Sequence, residues 1–594
     1  MKILIDRTIA PAEIAGVGVG MPSSHPDYRA LAPVAGGREY HVALNGNDAG
    51  EGTAEAPLRT ISAGAQRAQP GDVITVHGGV YRERVNPPRG GTSAERRIVY
   101  QAAPGERVEI TGSERVTGWI RGPRGVWNVE LPNDVFGDFN PFADEIRGDW
   151  FNPKGRKHHT GAVYCDGVEL CEAEFLYDVL NPLSSPNWSA TADENLTRIS
   201  ARFGDVNPNE ATVEIHARKT VFYPGNPGIN YITVRGFIMR HAATPWAPPT
   251  AEQIGLIGTH WSKGWIIEHN EISHSRCTGI TLGKYGDRWD NTSADTAEGY
   301  VETVRRALER GWSKETIGGH LIRNNHVFGC EQAAIVGSLG AAFSEVTGNV
   351  IHDIHQAKVF DGAEQGAIKF HGAIDTIIRG NHIFHTHRAI WLDWMAQGTR
   401  VTGNLCHDND VDDLFVEVNH GPFLVDNNVF LSARSLLDRS EGGTYAHNLM
   451  AGIIWFWPDS DRETPYHEHH ETAIAGLAPI IGGDDRFYNN LIVDAEGFAG
   501  YREAAQPVTL AGNILLPERP HMESDAAGLR LTLVLADSDM ARQKTLVTTA
   551  LLGRTRLADQ AFEQPDGNPI VLDTDFFGNA RSPGNLTPGP FELG

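Results

Sequence analysis

The stretch TGNLCH, residues 402–407, is one copy of a short pattern that recurs through the middle of the chain. Each copy has two small or polar residues, then an asparagine, then mostly apolar residues. The asparagines of the nine copies are Asn270, Asn325, Asn349, Asn381, Asn404, Asn428, Asn448, Asn490 and Asn513. From Asn325 onward the copies lie 24, 32, 23, 24, 20, 42 and 23 residues apart, and VRGFIM (234–239) looks like an earlier copy without the asparagine. Such a repeat predicts a solenoid with one copy in each coil.

The repeat length and the composition of the copies indicate which kind of solenoid. Gaps that are mostly 23 or 24 residues, short β-rich runs and no helical half favour an all-β, pectate-lyase-like, right-handed parallel β-helix. A leucine-rich repeat is the main alternative for this period, but its LxxLxLxxN frame is absent. We expect each asparagine to lie at a corner, to adopt left-handed backbone and to hydrogen-bond to the neighbouring coil through its amide. Longer gaps then mark coils with inserted loops.

Interruptions of the repeat predict the domain organisation. The segment PLRTISAGAQRAQPGD (57–72) reads as a short helix that covers the first coil, and AEGYVETVRRALERGW (297–312) reads as an amphipathic helix. The predicted units are an N-terminal strap (1–39), first coils with a helical cap (40–115), an inserted β-sandwich (116–228) and the main β-helix (229–594). Within the last unit we predict a helical insertion at about 284–318 and an irregular C-terminal cap at about 516–594.

Composition and charge limit the partners. The 594 residues carry a net charge of −24, which argues against nucleic acid and other polyanions because they would be repelled. The N-terminus has no apolar signal core, and no run approaches the roughly 20 apolar residues of a membrane span. Five scattered cysteines fit reduced thiols. We therefore expect a cytoplasmic protein that binds neither nucleic acid nor membrane.

Two acidic residues occupy matching places in consecutive coils. Asp393, in RAIWLDWMAQG (388–398), lies 12 residues after Asn381, and Glu417, in FVEVNHGP (415–422), lies 13 after Asn404. Equivalent positions in adjacent coils stack about 4.8 Å apart. Carboxyl groups about 5–5.5 Å apart are the arrangement of retaining glycosidases, in which one is the nucleophile and the other the acid/base. The spacing does not decide which acid has which role.

Several segments together resemble glycoside hydrolase family 120, the β-helix β-xylosidases. They are the coil and helix around TIS (60–62), the inserted sandwich, the helical insertion, IWLDWMAQG (390–398) and FVEVNHGP (415–422). The likeness runs from about Tyr40 to the end. It implies a retaining exo-acting β-xylosidase that releases xylose from short xylo-oligosaccharides, with Asp393 as nucleophile, Glu417 as general acid/base and no cofactor. It also implies a homo-oligomer, with a tetramer as the expected assembly.

Further residues near these motifs are candidates for sugar binding. By the resemblance, Glu364 binds a hydroxyl of the non-reducing sugar. Alternation along the strand gives Lys369 and His371 the same face, and Asn419 and His420 follow Glu417 closely enough to bond hydroxyls or orient the acid. The aromatic candidate for a sugar platform is Trp391, although we expect either it or Trp394 to belong to the core.

Other readings stay open. The same fold and mechanism would serve another neutral sugar, such as an α-L-arabinofuranoside; a pectate-lyase-like lyase or epimerase and a non-enzymatic carbohydrate-binding solenoid are more distant alternatives. The aspartates of DNDVDD (408–413) resemble those of pectin-degrading enzymes but are not followed by the basic residues that uronates need. The loop YHEHHET (466–472) has metal-ligating residue types but neither HExxH nor an evident distant partner, so we predict a polar loop and no metal.

Overall fold

Three long parallel sheets form the body of the protein in the computed structural model, which describes residues 2–9, 37–182, 186–493, 496–525, 528–536, 545–581 and 586–592. We name them sheets A, B and C, with 13, 12 and 8 strands. Each coil contributes one strand to two or three of these sheets, and neighbouring coils pair in parallel. The predicted parallel β-helix is confirmed.

The strands of sheet A are Glu39–Val42, Val73–Val76, Ile98–Ala102, Ile232–Arg235, Ile266–Glu268, Leu321–Arg323, Glu345–Thr347, Ile377–Arg379, Thr399–Thr402, Phe423–Asp426, Gly443–Ala446, Arg486–Tyr488 and Thr509–Ala511. Those of sheet B are Gly79–Tyr81, Val108–Thr111, Ile238–Ala242, Glu271–Ser275, His326–Cys330, Val350–Ile354, His382–Phe384, Leu405–His407, Val429–Phe430, Leu449–Met450, Leu491–Ile492 and Ile514–Leu515. Those of sheet C are Ile257–Gly258, Thr278–Thr281, Ala333–Ser338, Gly366–His371, Arg388–Asp393, Asp412–Glu417, Arg434–Arg439 and Ile453–Phe456. Inward-facing apolar side chains of all three sheets form one continuous core.

The repeated asparagines stack into a ladder at the corner between sheets A and B. The Oδ1 atom of each accepts hydrogen bonds from the backbone N–H and the side-chain amide of the asparagine one coil earlier, at 2.8–3.1 Å from Asn270 to Asn513. Each Nδ2 also donates to a main-chain carbonyl of an earlier coil, as Asn381 does to Val346 at 3.0 Å. The predicted amide bonding between coils is therefore confirmed.

The expectation of left-handed backbone at these asparagines is wrong, because the residue before each of them adopts it instead. That residue is either a glycine, such as Gly380 with φ +61° and Gly403 with φ +63°, or a residue such as Asn427 with φ +56°. The left-handed backbone of the preceding residue makes the change of chain direction at the corner. The ladder asparagine itself is thereby free to direct its amide along the solenoid axis.

The inserted segment that follows the first coils contains an antiparallel sheet and a mostly antiparallel sheet around a shared apolar cluster. One has the strands Ser113–Arg115, Val163–Cys165, Val168–Glu169 and Val213–His216, and the other has Ile120–Arg121, Trp127–Pro132, Cys171–Glu172, Asn187–Ala192 and Leu196–Arg202. The segment reaches the solenoid through Phe151–Asn152, which pairs with Asp361–Gly362. The boundaries proposed between the domains stay predictions.

The helices cover the ends and one side of the solenoid. Thr60 caps Ile61–Arg67, which buries Ile61 and Ala65 against the first coil. The insertion helix, Ala297–Glu309, buries Tyr300, Val301 and Val304 beside sheet C. The other helical segments are Leu176–Leu180, Thr549–Leu552 and the 3₁₀ turns Pro123–Gly125, Asn133–Phe136 and Gly500–Glu503. Among the described residues, no helix combines the length and apolar character needed to cross a bilayer.

Two further elements complete the chain. A hairpin, Glu463–His467 with Ile474–Pro479, occupies the 42-residue gap between ladder asparagines. The C-terminal region predicted to be irregular instead contains ordered strands: His521–Asp525 and Gly528–Ala536 form a three-stranded antiparallel sheet with the N-terminal strand Lys2–Ile9. Local sequence patterns do not reveal this sheet, because its third strand comes from the opposite end of the chain. Most of the N-terminal strap lies outside the described residues.

Candidate active site

The outward face of sheet C carries a row of polar and charged side chains. In consecutive strands the register aligns His371 with Asp393, Asp393 with Glu417, and Glu417 with Arg439. Side chains alternate along a strand, so the preceding residues, such as Leu392 and Val416, point into the core. Asp393 and Glu417 therefore face outward from neighbouring coils, at the strand spacing of about 4.8 Å.

Lys369 and His371 both contact the carboxylate of Asp393. Its Oδ2 lies 3.0 Å from the Nζ atom of Lys369 and 3.0 Å from the Nε2 atom of His371. Burial alone would raise the pKa of Asp393, but the positive charges of His371 and Lys369 outweigh burial and hold that pKa well below its usual range. Lys369 also lies 2.5 Å from a carboxylate oxygen of Glu364, whose pKa is raised by burial.

Glu417 has the opposite tendency. Burial and the nearby charge of Asp393 raise the pKa of Glu417. The Nη2 atom of Arg462, 2.6 Å from Oε1, and the Nη1 atom of Arg439, at 3.4 Å, oppose this rise without cancelling it. The pKa values of the two carboxyl groups are thus shifted in opposite directions, that of Asp393 downwards and that of Glu417 upwards.

A cavity of about 750 Å³ opens over this pair. Its walls come from the inserted segment, the insertion helix, sheet C and the loop before the hairpin: Trp150, Pro249, Asp295, Ala297, Tyr300, Ala363, Glu364, His371, Trp391, Asp393, Trp394, Glu417, Arg439, Trp457, Pro458, Asp459, Ser460, Asp461 and Arg462. A second cavity of about 690 Å³ adjoins it along sheet C, towards Phe415 and Leu437. Glu417 lines both cavities, whereas Asp393 lines only the first.

Several buried polar atoms of this site have no hydrogen-bond partner among the described residues. They include the Nδ1 atom of His371, the Nε1 atom of Trp391, the Oδ1 atom of Asp393 and the Nε atoms of Arg439 and Arg462. A buried polar group without a partner costs about 1–3 kcal/mol. Donors and acceptors that converge beside a cavity in this way suit a ligand with several hydroxyl groups.

The predicted residues Glu364, His371, Asp393 and Glu417 line the first cavity together. Lys369 lies beneath them, fully buried, with its Nζ atom 3.8 Å from the centre of the Trp391 ring. It positions the charge of Asp393 rather than contacting the cavity.

Both tryptophans beside Asp393 line the cavity. The expectation that one of the two belongs to the core holds for Trp394, which is part of the buried apolar cluster around the insertion helix. Trp391 stacks on Phe415 of the next coil, with ring centroids 4.9 Å apart. Trp394 packs edge-on against Tyr300 of the insertion helix, at 5.1 Å. Trp394 therefore belongs to the apolar cluster around the insertion helix and also lines the cavity.

Asn419 and His420 do not bind in the cavity, so their prediction as sugar ligands is corrected. The Oδ1 atom of Asn419 accepts from the Ala396 N–H, and its amide donates to the Leu392 carbonyl and the Ser440 hydroxyl. The ring of His420 is held by the Glu441 carboxylate at 2.8 Å and the Thr464 carbonyl at 3.2 Å. The polar atoms of Asn419 and His420 are therefore used in hydrogen bonds that connect neighbouring coils and the hairpin.

The sequence did not predict most of the other cavity residues, among them Arg439, Arg462, Tyr300 and Trp150. Arg439 could have been found, because it continues the register of Asp393 and Glu417 into the next coil. Arg462, Tyr300 and Trp150 come from insertions, where no repeat relates a residue number to a place on the sheet.

Two other clusters from the sequence analysis lie outside the cavity. Asp412 of DNDVDD is buried between Arg388 and Arg434, and Asp413 bonds to Asn409 and to the Ser432 N–H. These contacts give the aspartates a structural role. None of the histidines of YHEHHET lines the cavity.

The described residues offer one possible metal-ligating group in the cavity, formed by Glu364, His371 and Asp393. The ammonium group of Lys369 already lies within 3.0 Å of both carboxylates. This lysine already supplies the positive charge between Glu364 and Asp393. The three residues are therefore better suited to contact a ligand directly than to bind a metal ion.

Comparisons with known proteins agree on fold and chemistry. A family model described as "Glycoside hydrolase 120, insertion domain" matches residues 116–187, and one described as "Right handed beta helix region" matches residues 255–450. The solved structure titled "The complex structure of XylC with xylose" is 39% identical in sequence, with a TM-score of 0.89 over 93% of this chain and 98% of that chain.

Two more distant solved structures carry no weight for function. A glycoside hydrolase superposes with a TM-score of 0.44 at 12% identity, covering 71% of this chain and 94% of that chain. A GH136 lacto-N-biosidase from Eubacterium ramulus reaches 0.36 at 12% identity, covering 70% of this chain and 63% of that chain. No curated protein matches the chain.

Proposed function

Because this chain belongs to glycoside hydrolase family 120, we propose that it is a retaining exo-acting β-xylosidase that releases xylose from the non-reducing end of short xylo-oligosaccharides. One observation carries the proposal: Asp393 and Glu417 are aligned on neighbouring coils beside a cavity, with pKa values shifted in opposite directions. The choice of xylose rests on the XylC structure, whose title describes a complex with xylose.

The two acids are suited to the two halves of a double displacement. In the first step the Asp393 carboxylate attacks the anomeric carbon, the bond to the leaving oxygen breaks, and Glu417 gives its proton to that oxygen. The pKa of Asp393 is held well below its usual range and the pKa of Glu417 is raised, which are the directions that a nucleophile and a general acid need.

Formation of the glycosyl-enzyme also prepares Glu417 for the second step. Once Asp393 is esterified, its negative charge is gone, and one of the two causes of the raised pKa of Glu417 is removed. Arg462 and Arg439 then favour the carboxylate. Glu417 can take a proton from water, which attacks the anomeric carbon, releases Asp393 and leaves the sugar with its original configuration.

The two cavities suggest where each part of the substrate lies. Glu417 must reach the oxygen between the released sugar and the leaving group, and it lines both cavities. Asp393 must reach the released sugar, and it lines only the first. The first cavity, with Glu364, His371 and Tyr300, therefore takes the terminal xylosyl unit, while the second takes the leaving group.

A panel of aryl glycosides tests this function. Wild type, Asp393→Ala, Glu417→Ala and the control Glu302→Ala would be assayed on 4-nitrophenyl β-D-xyloside, α-L-arabinofuranoside and β-D-glucoside. Glu302 lies on the exposed face of the insertion helix. We expect the xyloside to be the best substrate and the control to match wild type. Near-normal turnover of the xyloside by Asp393→Ala would refute the assignment. A homo-oligomer and a cytoplasmic location stay predictions.

A further inference from the structure

We propose that His469, His470 and Glu563, none of which lines the catalytic cavity, form a binding site for a divalent transition metal, best suited to Zn²⁺. His469 and His470 lie in the loop of the Glu463–His467/Ile474–Pro479 hairpin, and Glu563 comes from the C-terminal region. Each offers one nitrogen or oxygen atom, and these three atoms lie within 4.8 Å of one another. Glu563 is the distant partner that the sequence of the loop lacked.

The separations of these atoms fit ligands of one metal better than hydrogen bonds. An Oε2 atom of Glu563 lies 3.5 Å from the Nε2 atom of His469 and 3.7 Å from that of His470. A hydrogen bond between nitrogen and oxygen spans about 2.7–3.2 Å. Tetrahedral Zn²⁺ with bonds of about 2.0–2.1 Å places its ligand atoms roughly 3.4 Å apart. Small adjustments would bring all three atoms to that separation.

The contacts of His470 support the same assignment. Its Nδ1 atom lies 2.8 and 2.9 Å from the two carboxylate oxygens of the buried Asp375. The Nε2 atom is therefore the one left for a metal. It lies 3.7 Å from the Glu563 carboxylate, and this buried atom has no hydrogen-bond partner among the described residues.

Asp375 gives His470 the support that metal-binding histidines usually have. A ligating histidine commonly donates its other ring N–H to a carboxylate, which fixes the tautomer and the orientation of the ring. The ring of His469 stacks on that of His470, with centroids 3.9 Å apart, so the two Nε2 atoms remain side by side. Two imidazoles and one carboxylate match the preference of Zn²⁺, and the partly exposed His469 leaves room for water as a fourth ligand.

Such a site would fasten the hairpin to the C-terminal region. The hairpin starts directly after Arg462, which contacts Glu417, and Gln560 already bonds to the His467 carbonyl at 2.7 Å. Metal binding would add a second connection between these segments. The expected role is therefore structural, and the proposal does not depend on the sugar that the enzyme cleaves.

The test is calorimetric titration of the untagged full-length protein with ZnCl₂ after treatment with EDTA and buffer exchange. We expect one equivalent of Zn²⁺ to bind and to raise the thermal midpoint. The variants His469→Ala and Glu563→Gln should lose this binding, and Asp375→Asn should bind roughly 10–100-fold more weakly. His521→Ala, an exposed histidine of the C-terminal sheet, is the control and should bind as wild type does.

Folding of each variant would be checked by circular dichroism and by activity on an aryl xyloside, since none of these residues lines the catalytic cavity. Co²⁺ provides an independent readout, because a tetrahedral site with nitrogen ligands gives it strong visible absorption. The proposal is overturned if folded wild type shows no saturable Zn²⁺ binding, or if His469→Ala and Glu563→Gln both bind as tightly as wild type. Binding of Ca²⁺ in preference to Zn²⁺ would also overturn it.

Discussion

The asparagine ladder and the catalytic cavity are built on the same coils but treat buried polar atoms in opposite ways. In the ladder, an amide such as that of Asn381 is fully used: it accepts twice from Asn349 and donates to Asn404 and Val346. In the cavity, polar atoms of His371 and Asp393 are buried without a hydrogen-bond partner in the described part of the chain. In the ladder, the polar groups bond to each other and hold the coils together. In the cavity, some polar groups remain available to bind a ligand.

This contrast separates stability from function within one repeat. Substitutions in the ladder should lower the free energy of unfolding and leave the chemistry of the surviving folded protein intact. Substitutions in the cavity should change the rate or the pH dependence more than the stability. A ladder substitution that changed the rate of the folded protein, or a cavity substitution that mainly lowered stability, would show that the two regions are not independent.

The largest effect is expected from Asp393→Asn, which retains the shape of the side chain but removes the nucleophile. Turnover of an aryl β-xyloside should fall by about 10⁴-fold or more. Steady-state kinetics would measure the loss, and chemical denaturation would show whether the fold is preserved. Loss of turnover together with an equally severe loss of stability would weaken the division between the regions.

Glu417→Ala should lose less, and the loss should depend on the leaving group. General acid catalysis contributes about 10²–10⁴-fold, and it matters least for an activated phenol. The ratio of turnover for xylobiose to that for 4-nitrophenyl β-xyloside should therefore fall sharply. Added azide should restore activity with the activated substrate and give a β-xylosyl azide. An α-configured azide product would contradict the acid/base role of Glu417.

The matching test of the ladder is Asn381→Ala. Removing this amide leaves two donors of Asn349 and the acceptors of Val346 and Asn404 without their partner, so we expect a loss of about 3 kcal/mol in the free energy of unfolding. Asn513→Ala should cost less because Asn513 lies at the end of the ladder and is partly exposed. Urea denaturation gives both values. The kcat of folded Asn381→Ala should equal that of wild type; a large drop would show that the ladder also shapes the site.

A smaller effect is expected in the pH profile of Arg462→Gln. Activity requires ionised Asp393 on the acidic limb and protonated Glu417 on the alkaline limb. The charge of Arg462 lowers the pKa of both acids, so its removal should raise both and move the whole profile of kcat/KM to higher pH. Arg305→Gln, on the exposed face of the insertion helix, should leave the profile unchanged. A shift of Arg462→Gln to lower pH would contradict the electrostatic account.

The repeat in the sequence predicts the β-helix and the positions of residues within its coils. Each asparagine is followed by a coil of similar length, so residue number translates into position, and Asp393 and Glu417 were correctly placed on neighbouring coils. The same reasoning failed for Asn419, whose polar type suggested a ligand. In the structure it is bonded through Ser440 and Ala396 in the manner of a ladder residue.

The rest of the site comes from inserted segments, in which the repeat does not relate residue number to position on the solenoid. Trp150, Tyr300 and Arg462 reach the cavity from an inserted domain, a helix and a long loop, and only tertiary packing brings them together. The same is true of Glu563, about 90 residues after His470 in sequence but beside it in space. Long-range contacts between insertions leave no periodic signal.

The most direct test of the central claim is the configuration of the first sugar released. Hydrolysis of an aryl β-xyloside would be followed by ¹H NMR from the earliest time points, before the anomers of free xylose equilibrate. If Asp393 and Glu417 act as nucleophile and acid/base from neighbouring coils, β-xylose must appear first and α-xylose only later through mutarotation. Appearance of α-xylose first would mean inversion and would contradict the account.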